Sequence, residues 1–148
     1  THPSKSFKLI LFGGGPLLKS ELKLIRDYGL ELNSVIQISG NDIKLSSLYK
    51  FSNLFVLPSK GEGFGLPLLE AASKNCPVAC SDIEIFNEVM GNSAQYFNPD
   101  SVDDIIEKLE KILFSDSMRK ELILKGSKRL SNFSWKKCAK ETLDIYKK

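Results

Sequence analysis

Residues 58–72 read PSKGEGFGLPLLEAA and join a short apolar run to an apolar helical segment. Gly61, Gly63 and Gly65 permit positive φ angles and leave backbone N–H groups uncovered. Pro67 suits the first turn of a helix, where its missing N–H costs nothing. A loop of this kind before a helix N-terminus is typical of a site for an anionic group such as a diphosphate.

Two acids stand in this stretch, Glu62 in the loop and Glu70 in the helix. Glu70 lies among leucines and alanines on a helix that we expect to be largely buried. An ionised carboxylate there is costly unless it accepts hydrogen bonds, and the paired hydroxyls of a ribose are suitable donors. The alternatives are that Glu70 lies on an exposed stripe of the helix and that Glu62 is a surface acid. The glycine pattern favours the ligand-binding interpretation.

Short apolar runs alternate with helical patterns along most of the chain. Strands are predicted at Phe7–Phe12, Val35–Ile38, Leu54–Leu57, Pro77–Cys80 and Ala94–Phe97. Helices are predicted at Leu17–Tyr28, around Leu45–Phe51, at Leu66–Lys74 and at Ile83–Met90. This alternation predicts an α/β fold, a Rossmann-like doubly wound parallel sheet of about five strands with helices on both faces. The third strand is expected to be buried on both faces.

The last third of the chain is predicted to be helical. Ser101 and Asp104 resemble a capping box, a second helix begins at Asp116 or Ser117, and Ser134 caps a third. Residues 1–148 are therefore predicted to form a single domain, with 101–148 as its helical tail. Ligands of such folds bind at the carboxyl ends of the strands.

A second glycine loop, Gly13-Gly14-Gly15-Pro16, follows the first predicted strand. Gly14 and Gly15 are candidates for a phosphate-side loop. The dinucleotide fingerprint is incomplete because Leu18 stands where its third glycine would fall, so NAD or FAD binding is not expected. The alternative is a tight turn with Pro16 at the start of the helix.

Composition excludes several classes of function. The net charge of +3 is mild and the lysines are spread over helical stretches, so no nucleic-acid surface is expected. The lysines of the C-terminal segment are expected to lie on solvated helix faces. The alternative is that this basic segment contacts an anionic membrane.

The cysteines are not spaced for a disulfide. Cys76 and Cys80 would lie about 13 Å apart on a strand, which is too far for that bond. The three cysteines are expected to be small buried hydrophobes in a reducing compartment, and the single histidine, His2, lies at the N-terminus.

Residues 58–72 closely resemble the Glu-x7-Glu motif of retaining glycosyltransferases with the two-domain GT-B architecture, in particular family 4. The resemblance extends to Leu9–Pro16, Val35–Ser59 and Pro77–Glu88, and covers roughly residues 7 to 100. Asn75 replaces the family's usual glycine and Asn87 a common proline. The chain would then be half of a GT-B fold, its donor-binding C-terminal domain.

The resemblance implies a role for each motif residue. Glu62 would be the catalytic residue facing the donor sugar, and Glu70 would bind the ribose hydroxyls. Donor-sugar and diphosphate binding would fall to the backbone of Gly63, Phe64, Gly65, Leu66 and Leu68. Gly40, Asn41, Asp42 and Ile43 would lie along the base. The family needs no metal or other cofactor, and the sequence has no Asp-x-Asp signature.

The implied function is transfer of a hexose from a UDP- or GDP-sugar to a glycan or a lipid-linked acceptor. The family's diphosphate-binding Arg and Lys, and its N-terminal acceptor-binding domain, would lie upstream of Thr1. We therefore expect this chain alone to be inactive and at best a weak nucleotide-sugar binder. The alternatives are a non-catalytic nucleotide-sugar-binding module and a nucleotide-sugar epimerase of GT-B architecture. The expected location is cytoplasmic, with peripheral contact at the inner face of a membrane left open.

Overall fold

The structure is a computed structural model that describes residues 7–31 and 33–147. The chain divides into two compact units, residues 1–45 and residues 46–148. The expectation that residues 1–148 form one domain stays a prediction. His2 lies outside the described residues.

The first unit is built from two parallel strands and a helix. Strands β1 (Leu9–Phe12) and β2 (Val35–Ile38) pair in parallel, with Leu9 opposite Val35. Helix α1 (Lys19–Asp27) connects them and buries Ile25. Gly29 follows the helix with φ +65°, and its N–H donates to the Arg26 carbonyl, which is typical of a glycine that ends a helix.

The second unit carries the other three strands and most of the helices. Strands β3 (Phe55–Leu57), β4 (Val78–Ser81) and β5 (Gln95–Phe97) form a parallel sheet in the order β3-β4-β5. Helix α2 (Asp42–Phe51) spans the boundary between the units. The remaining helices are α3 (Leu66–Ser73), α4 (Glu84–Met90), α5 (Val102–Leu113), α6 (Asp116–Leu130) and α7 (Trp135–Tyr146).

Helices of the second unit pack on β4 and β5. Ala79, Phe97, Ile112 and Leu122 form one buried cluster, which brings α5 and α6 against the sheet. Helix α3 approaches α6 closely, because a Cβ added to Gly126 would lie 3.4 Å from the Cβ of Ala72. This packing holds α3 in place. The first turn of α3, which follows the glycine-rich loop, is therefore held in place as well.

The predicted α/β class with parallel strands flanked by helices is confirmed, although the five strands of the described residues pair as a two-stranded and a three-stranded sheet. The expectation that β3 is buried on both faces is wrong. Its residues are half-buried because it is the edge strand of its sheet, whereas β4 is fully buried at the centre.

Three local expectations are also corrected. Helix α2 begins at Asp42, before the predicted helix around Leu45–Phe51, and its first turn is capped by the Asn41 side chain accepting from the Lys44 N–H at 3.1 Å. Ser101 caps α5, but the Asp104 carboxylate accepts from the Asn98 N–H at 2.7 Å, so the box is not reciprocal.

The third correction concerns Cys138, which is exposed on α7, while Cys76 and Cys80 are buried as expected. A separate finding is that Asn75, where the resembling family has glycine, adopts φ +58°. Asparagine tolerates this left-handed conformation better than most residues other than glycine. Within the described ranges, no helix is long and apolar enough to cross a bilayer.

Candidate functional site

The segment from Glu62 to Glu70 passes from the loop after β3 into the first turn of α3. Gly65 is the N-cap of α3 and adopts φ +89°, ψ +40°, a conformation that glycine adopts without steric cost. A Cβ added there would lie 2.9 Å from Cε1 of Phe86 and 3.1 Å from Cδ1 of Leu68. The left-handed backbone conformation and the lack of space for a Cβ atom therefore both require glycine at this position.

The first turn of α3 presents fewer backbone donors than the sequence suggested. Pro67 has no N–H, and the Leu68 N–H donates to the Gly65 carbonyl at 3.0 Å. The helix itself offers no acceptor to the N–H of its first residue, Leu66. Of the two amides predicted to bind a diphosphate, the Leu66 amide is thus the better placed, and Leu68 already holds an internal partner.

Glu62 is exposed, and its Oε1 accepts a hydrogen bond of 2.9 Å from the Ser59 hydroxyl. It lines a cleft of ≈ 330 Å³ in the second unit together with Glu84 and Glu88 of α4. Lys60 also lines the cleft, but its ammonium group pairs with the Asp100 carboxylate. The cleft is therefore rich in carboxylates and hydrogen-bond acceptors, which suits a ligand that presents hydroxyl groups.

Glu70 is exposed on α3, whereas its neighbours Leu69 and Ala71 are buried. The expectation of a buried carboxylate is thus wrong, because the helix turns this position towards solvent. Tyr49 of α2 lies close enough to Glu70 to be affected by its negative charge. Burial, followed by that charge, raises the pKa of Tyr49 to about 12.

An aromatic contact holds the motif loop against the C-terminal helices. The Phe64 ring meets the Phe133 ring edge-on, with centroids 6.0 Å apart. The Arg129 guanidinium lies 5.3 Å from the Phe133 centroid, and its Nε donates to the Val89 carbonyl at 2.8 Å. Phe133 and Arg129 thus connect the loop to the end of α4, a role that the sequence did not signal.

The second glycine loop lies in the first unit. Gly13 and Gly14 adopt φ values of +87° and +70°. Gly14 and Gly15 line a groove of ≈ 480 Å³ together with Gln37 and Ser39, after the ends of β1 and β2. The Gln37 side-chain amide donates to the Gly13 carbonyl and tethers the loop to β2.

The four residues assigned to the base also lie in the first unit and are exposed: Gly40, Asn41, Asp42 and Ile43. The Lys44 ammonium donates to the Ser39 carbonyl at 2.9 Å and lies against Gly40, where an added Cβ would come within 2.5 Å of Lys44 Cδ. A side chain at Gly40 would therefore require the exposed Lys44 side chain to move. Glu62, Glu70 and the residues between them belong to the second unit.

Sequence reasoning missed three further residues around Glu62 and Glu70. Ser59 lies within the motif and its hydroxyl was a readable signal, whereas Tyr49 was noted only as an apolar position of α2. Phe133 gave no signal. Among the residues that the structure describes, no group of three or more His, Cys, Asp or Glu side chains is arranged to hold a metal ion.

Comparison with known proteins supports the resemblance. The family model described as "Glycosyl transferases group 1" matches residues 3–129. The chain is 39% identical over 106 residues to O-antigen chain mannosyltransferase B of Escherichia coli, covering 72% of this chain and 28% of that protein. The chain therefore spans less than a third of the length of that relative.

Solved structures show the same fold. The chain is similar to S. aureus TarM, in a complex with Fondaparinux, alpha-GlcNAc-glycerol and UDP, with a TM-score of 0.83 and 21% identity over 95% of this chain and 29% of TarM. It is also similar to the C-terminal domain of a group 1 family glycosyl transferase (LpcC) of Francisella tularensis, with a TM-score of 0.67 and 24% identity over 77% of this chain and 60% of that one.

The structural neighbours are GT-B glycosyltransferases, so the predicted half of a GT-B fold is confirmed. The family model covers most of the chain. The chain belongs to the group 1 family of glycosyl transferases.

Proposed function

We propose that this chain is the donor-binding part of a retaining glycosyltransferase that moves a hexose from a UDP- or GDP-sugar to a glycan or a lipid-linked acceptor. Mannose is the favoured hexose, because the relatives of this chain include several proteins named as mannosyltransferases. The observation that carries the proposal is the first turn of α3, where a glycine N-cap in the left-handed conformation stands between two exposed acids.

Each part of this segment has a distinct role in the proposal. The Leu66 amide and the positive end of the α3 dipole attract the diphosphate. Glu70 accepts hydrogen bonds from the ribose hydroxyls, and Glu62 faces the sugar hydroxyls near the anomeric carbon. Gly63, Phe64 and Gly65 supply backbone that a ligand can approach closely.

The proposed reaction breaks the bond between the anomeric carbon and the diphosphate oxygen. The acceptor hydroxyl forms the new bond on the same face, and its proton passes to the departing diphosphate, so configuration is kept. No metal or other cofactor takes part in this proposal, and the nucleotide sugar is the substrate. The departing diphosphate gains one negative charge as the bond breaks, before it takes the acceptor proton, and stabilisation of such a charge is usually a large part of catalysis.

The chain alone is proposed to bind the donor without transferring the sugar. Lys60 is the cation that lines the Glu62 cleft, and it is paired with Asp100. A diphosphate departing into this cleft would therefore meet mainly carboxylates. Efficient transfer is proposed to need cationic groups from elsewhere in a longer polypeptide, as well as residues that hold the acceptor.

Isothermal titration of this chain with UDP, GDP and their mannose and glucose derivatives tests the proposal. We expect saturable binding of one nucleotide and its sugar, and tighter binding than to the other nucleotide. Transfer is then measured with the full-length polypeptide. Binding without transfer by the full-length protein would favour a non-catalytic module, and no binding of any of these nucleotides would contradict the proposed function.

A further inference from the structure

We propose that Arg129 is a positioning residue that holds the last turn of α4 in place, so that Glu84 and Glu88 keep their positions in the cleft beside Glu62. This inference deepens the proposed function and rests on it, because it takes that cleft as the place of the donor's sugar. Arg129 does not line the cleft and acts through the backbone of α4.

The arginine closes the C-terminal end of α4. Arg129 lies in the last turn of α6, and its Nε donates to the Val89 carbonyl at 2.8 Å. Its Nη2 donates to the Glu88 carbonyl. Carbonyls in the last turn of a helix lack partners within the helix, and a cation beside them also interacts favourably with the helix dipole. One rigid guanidinium group therefore satisfies two neighbouring carbonyls of α4.

Helix α4 depends on such contacts because it is short. It has 7 residues, and a helix of this length is not stable by itself in water. On its buried side Phe86 packs beneath the N-cap of α3, where a Cβ added to Gly65 would lie 2.9 Å from Phe86 Cε1. The buried side of α4 is thus held by Phe86, and its C-terminal end by Arg129.

The exposed side of α4 contributes two carboxylates to the cleft. Glu84 and Glu88 are one helical turn apart, and both are exposed and line the cleft with Glu62. Glu88 also supplies one of the carbonyls that accept from Arg129, so a shift of this turn would move its carboxylate relative to Glu62. Carboxylates accept hydrogen bonds from sugar hydroxyls, and acceptors that are already in place lower the entropy lost on binding.

The same guanidinium also contacts the aromatic pair that holds the motif loop. Arg129 lies 5.3 Å from the centroid of Phe133, whose ring meets the Phe64 ring at 6.0 Å. The cleft is lined by α4 and by loop residues that include Lys60 and Gly61. Arg129 is therefore connected to both of the segments that form the cleft.

The test compares a nucleoside diphosphate with the same nucleotide carrying a hexose, by isothermal titration of this chain with UDP, UDP-glucose, GDP and GDP-mannose. In Arg129→Gln we expect the affinity for the nucleotide sugar to fall about 3- to 10-fold, because side chains of the cleft must then be ordered on binding. The affinity for the nucleoside diphosphate should change little. Its proposed contacts are the first turn of α3 and Glu70, and the ring contact of Phe64 with Phe133 remains in this variant.

Arg119→Gln is the matched control. Arg119 donates to the Ile112 and Leu113 carbonyls, at 2.9 and 2.7 Å, at the end of α5. The control therefore removes the same kind of contact from a helix that does not line the cleft. Both variants should lower the free energy of unfolding, but Arg119→Gln should leave both affinities unchanged.

Equal losses for the two ligands in Arg129→Gln, or no loss for either, would overturn the positioning role while leaving the proposed function intact. If this variant does not fold, Arg129→Lys carries the same comparison, since it keeps a cation beside the α4 carbonyls. Its smaller loss should again be confined to the nucleotide sugar. Binding of nucleoside diphosphates alone by the wild-type chain would also overturn the positioning role. Failure of the wild-type chain to bind any of the four compounds would overturn the proposed function, and the positioning role with it.

Discussion

The ring of Phe64 in the motif loop packs edge-on against the ring of Phe133, which lies between α6 and α7, at a centroid distance of 6.0 Å. The two residues are far apart in sequence, yet this contact joins the loop that carries Glu62 to the C-terminal helices. Arg129 also contacts Phe133, with its guanidinium 5.3 Å from the ring centroid, and its Nε donates to the Val89 carbonyl. The C-terminal helices thus help to set the conformation of the candidate site.

Replacing Phe133 by alanine should loosen the motif loop. An aromatic pair contributes about 0.5–1.5 kcal/mol beyond its buried area, so the free energy of unfolding should fall by at least that amount. Nucleotide affinity should fall as well, because the loop must be ordered again on binding. Denaturant titration and calorimetry measure the two effects. Leu143→Ala on the exposed face of α7 is the control, and equal effects from both variants would contradict the role of Phe133.

Gly65→Ala should be strongly destabilising. A left-handed backbone costs a residue with a side chain about 1–2 kcal/mol, and the new Cβ would lie 2.9 Å from Phe86 Cε1. We expect a loss of about 2 kcal/mol or more in the free energy of unfolding. Gly61→Ala in the same loop is the control, because nothing lies within 4 Å of its Cβ position. A neutral Gly65→Ala variant would show that the loop conformation described for α3's N-cap is incorrect.

Stability should decrease in alkaline solution. Burial raises the pKa of the Cys76 and Cys80 thiols from 9.0 to about 12, so the folded chain keeps protons that the unfolded chain releases. The folded state then binds more protons than the unfolded state between about pH 9 and pH 12, and the free energy of unfolding falls as pH rises through that window. Urea titrations at pH 8 and pH 10 measure the change.

Cysteine variants supply the control for this pH dependence. Cys138→Ser should not alter the difference between the two pH values, because Cys138 is exposed. Cys80→Ala should reduce that difference, although its small cavity lowers stability at both pH values. A wild-type chain that is equally stable at pH 8 and pH 10 would contradict the effect of the buried thiols.

Glu62→Gln should separate catalysis from binding in the full-length polypeptide. If Glu62 faces the reacting sugar, the variant should lose sugar transfer by about 100-fold or more, the usual size of a lost electrostatic or acid–base contribution. Affinity for the nucleoside diphosphate alone should change little, since the sugar is absent. Glu110→Gln on the exposed surface of α5 is the control. Retained transfer by Glu62→Gln would remove the catalytic assignment.

The local signals of the sequence predicted the fold well. Pro67 and the glycines placed the start of α3, alternating strands and helices gave the α/β class, and Ser134 marked the start of α7. The errors arose where tertiary position decides. Strand β3 is half-buried because it lies at the edge of its sheet. The residue types of Phe55–Leu57 do not show whether their strand lies at the edge or at the centre of a sheet.

The surroundings of the candidate site could be predicted only in part. The motif itself indicated Glu62, Gly65 and Glu70, because the spacing of its glycines, proline and acids can be read from one short stretch of sequence. The influence of Glu70 on Tyr49 and the contact of Phe64 with Phe133 join distant segments, and both depend on tertiary packing. A single sequence carries no record of such pairings, so these residues emerged from the structure.

Binding of a nucleotide-sugar diphosphate by the first turn of α3 and the loop before it is tested most directly by an amide ¹H–¹⁵N NMR titration of this chain with UDP and GDP. We expect saturable shifts of the amides of Gly63, Phe64, Gly65 and Leu66, with smaller changes on the remote faces of α5 and α6. Binding that shifts other amides and leaves these four unchanged would contradict it.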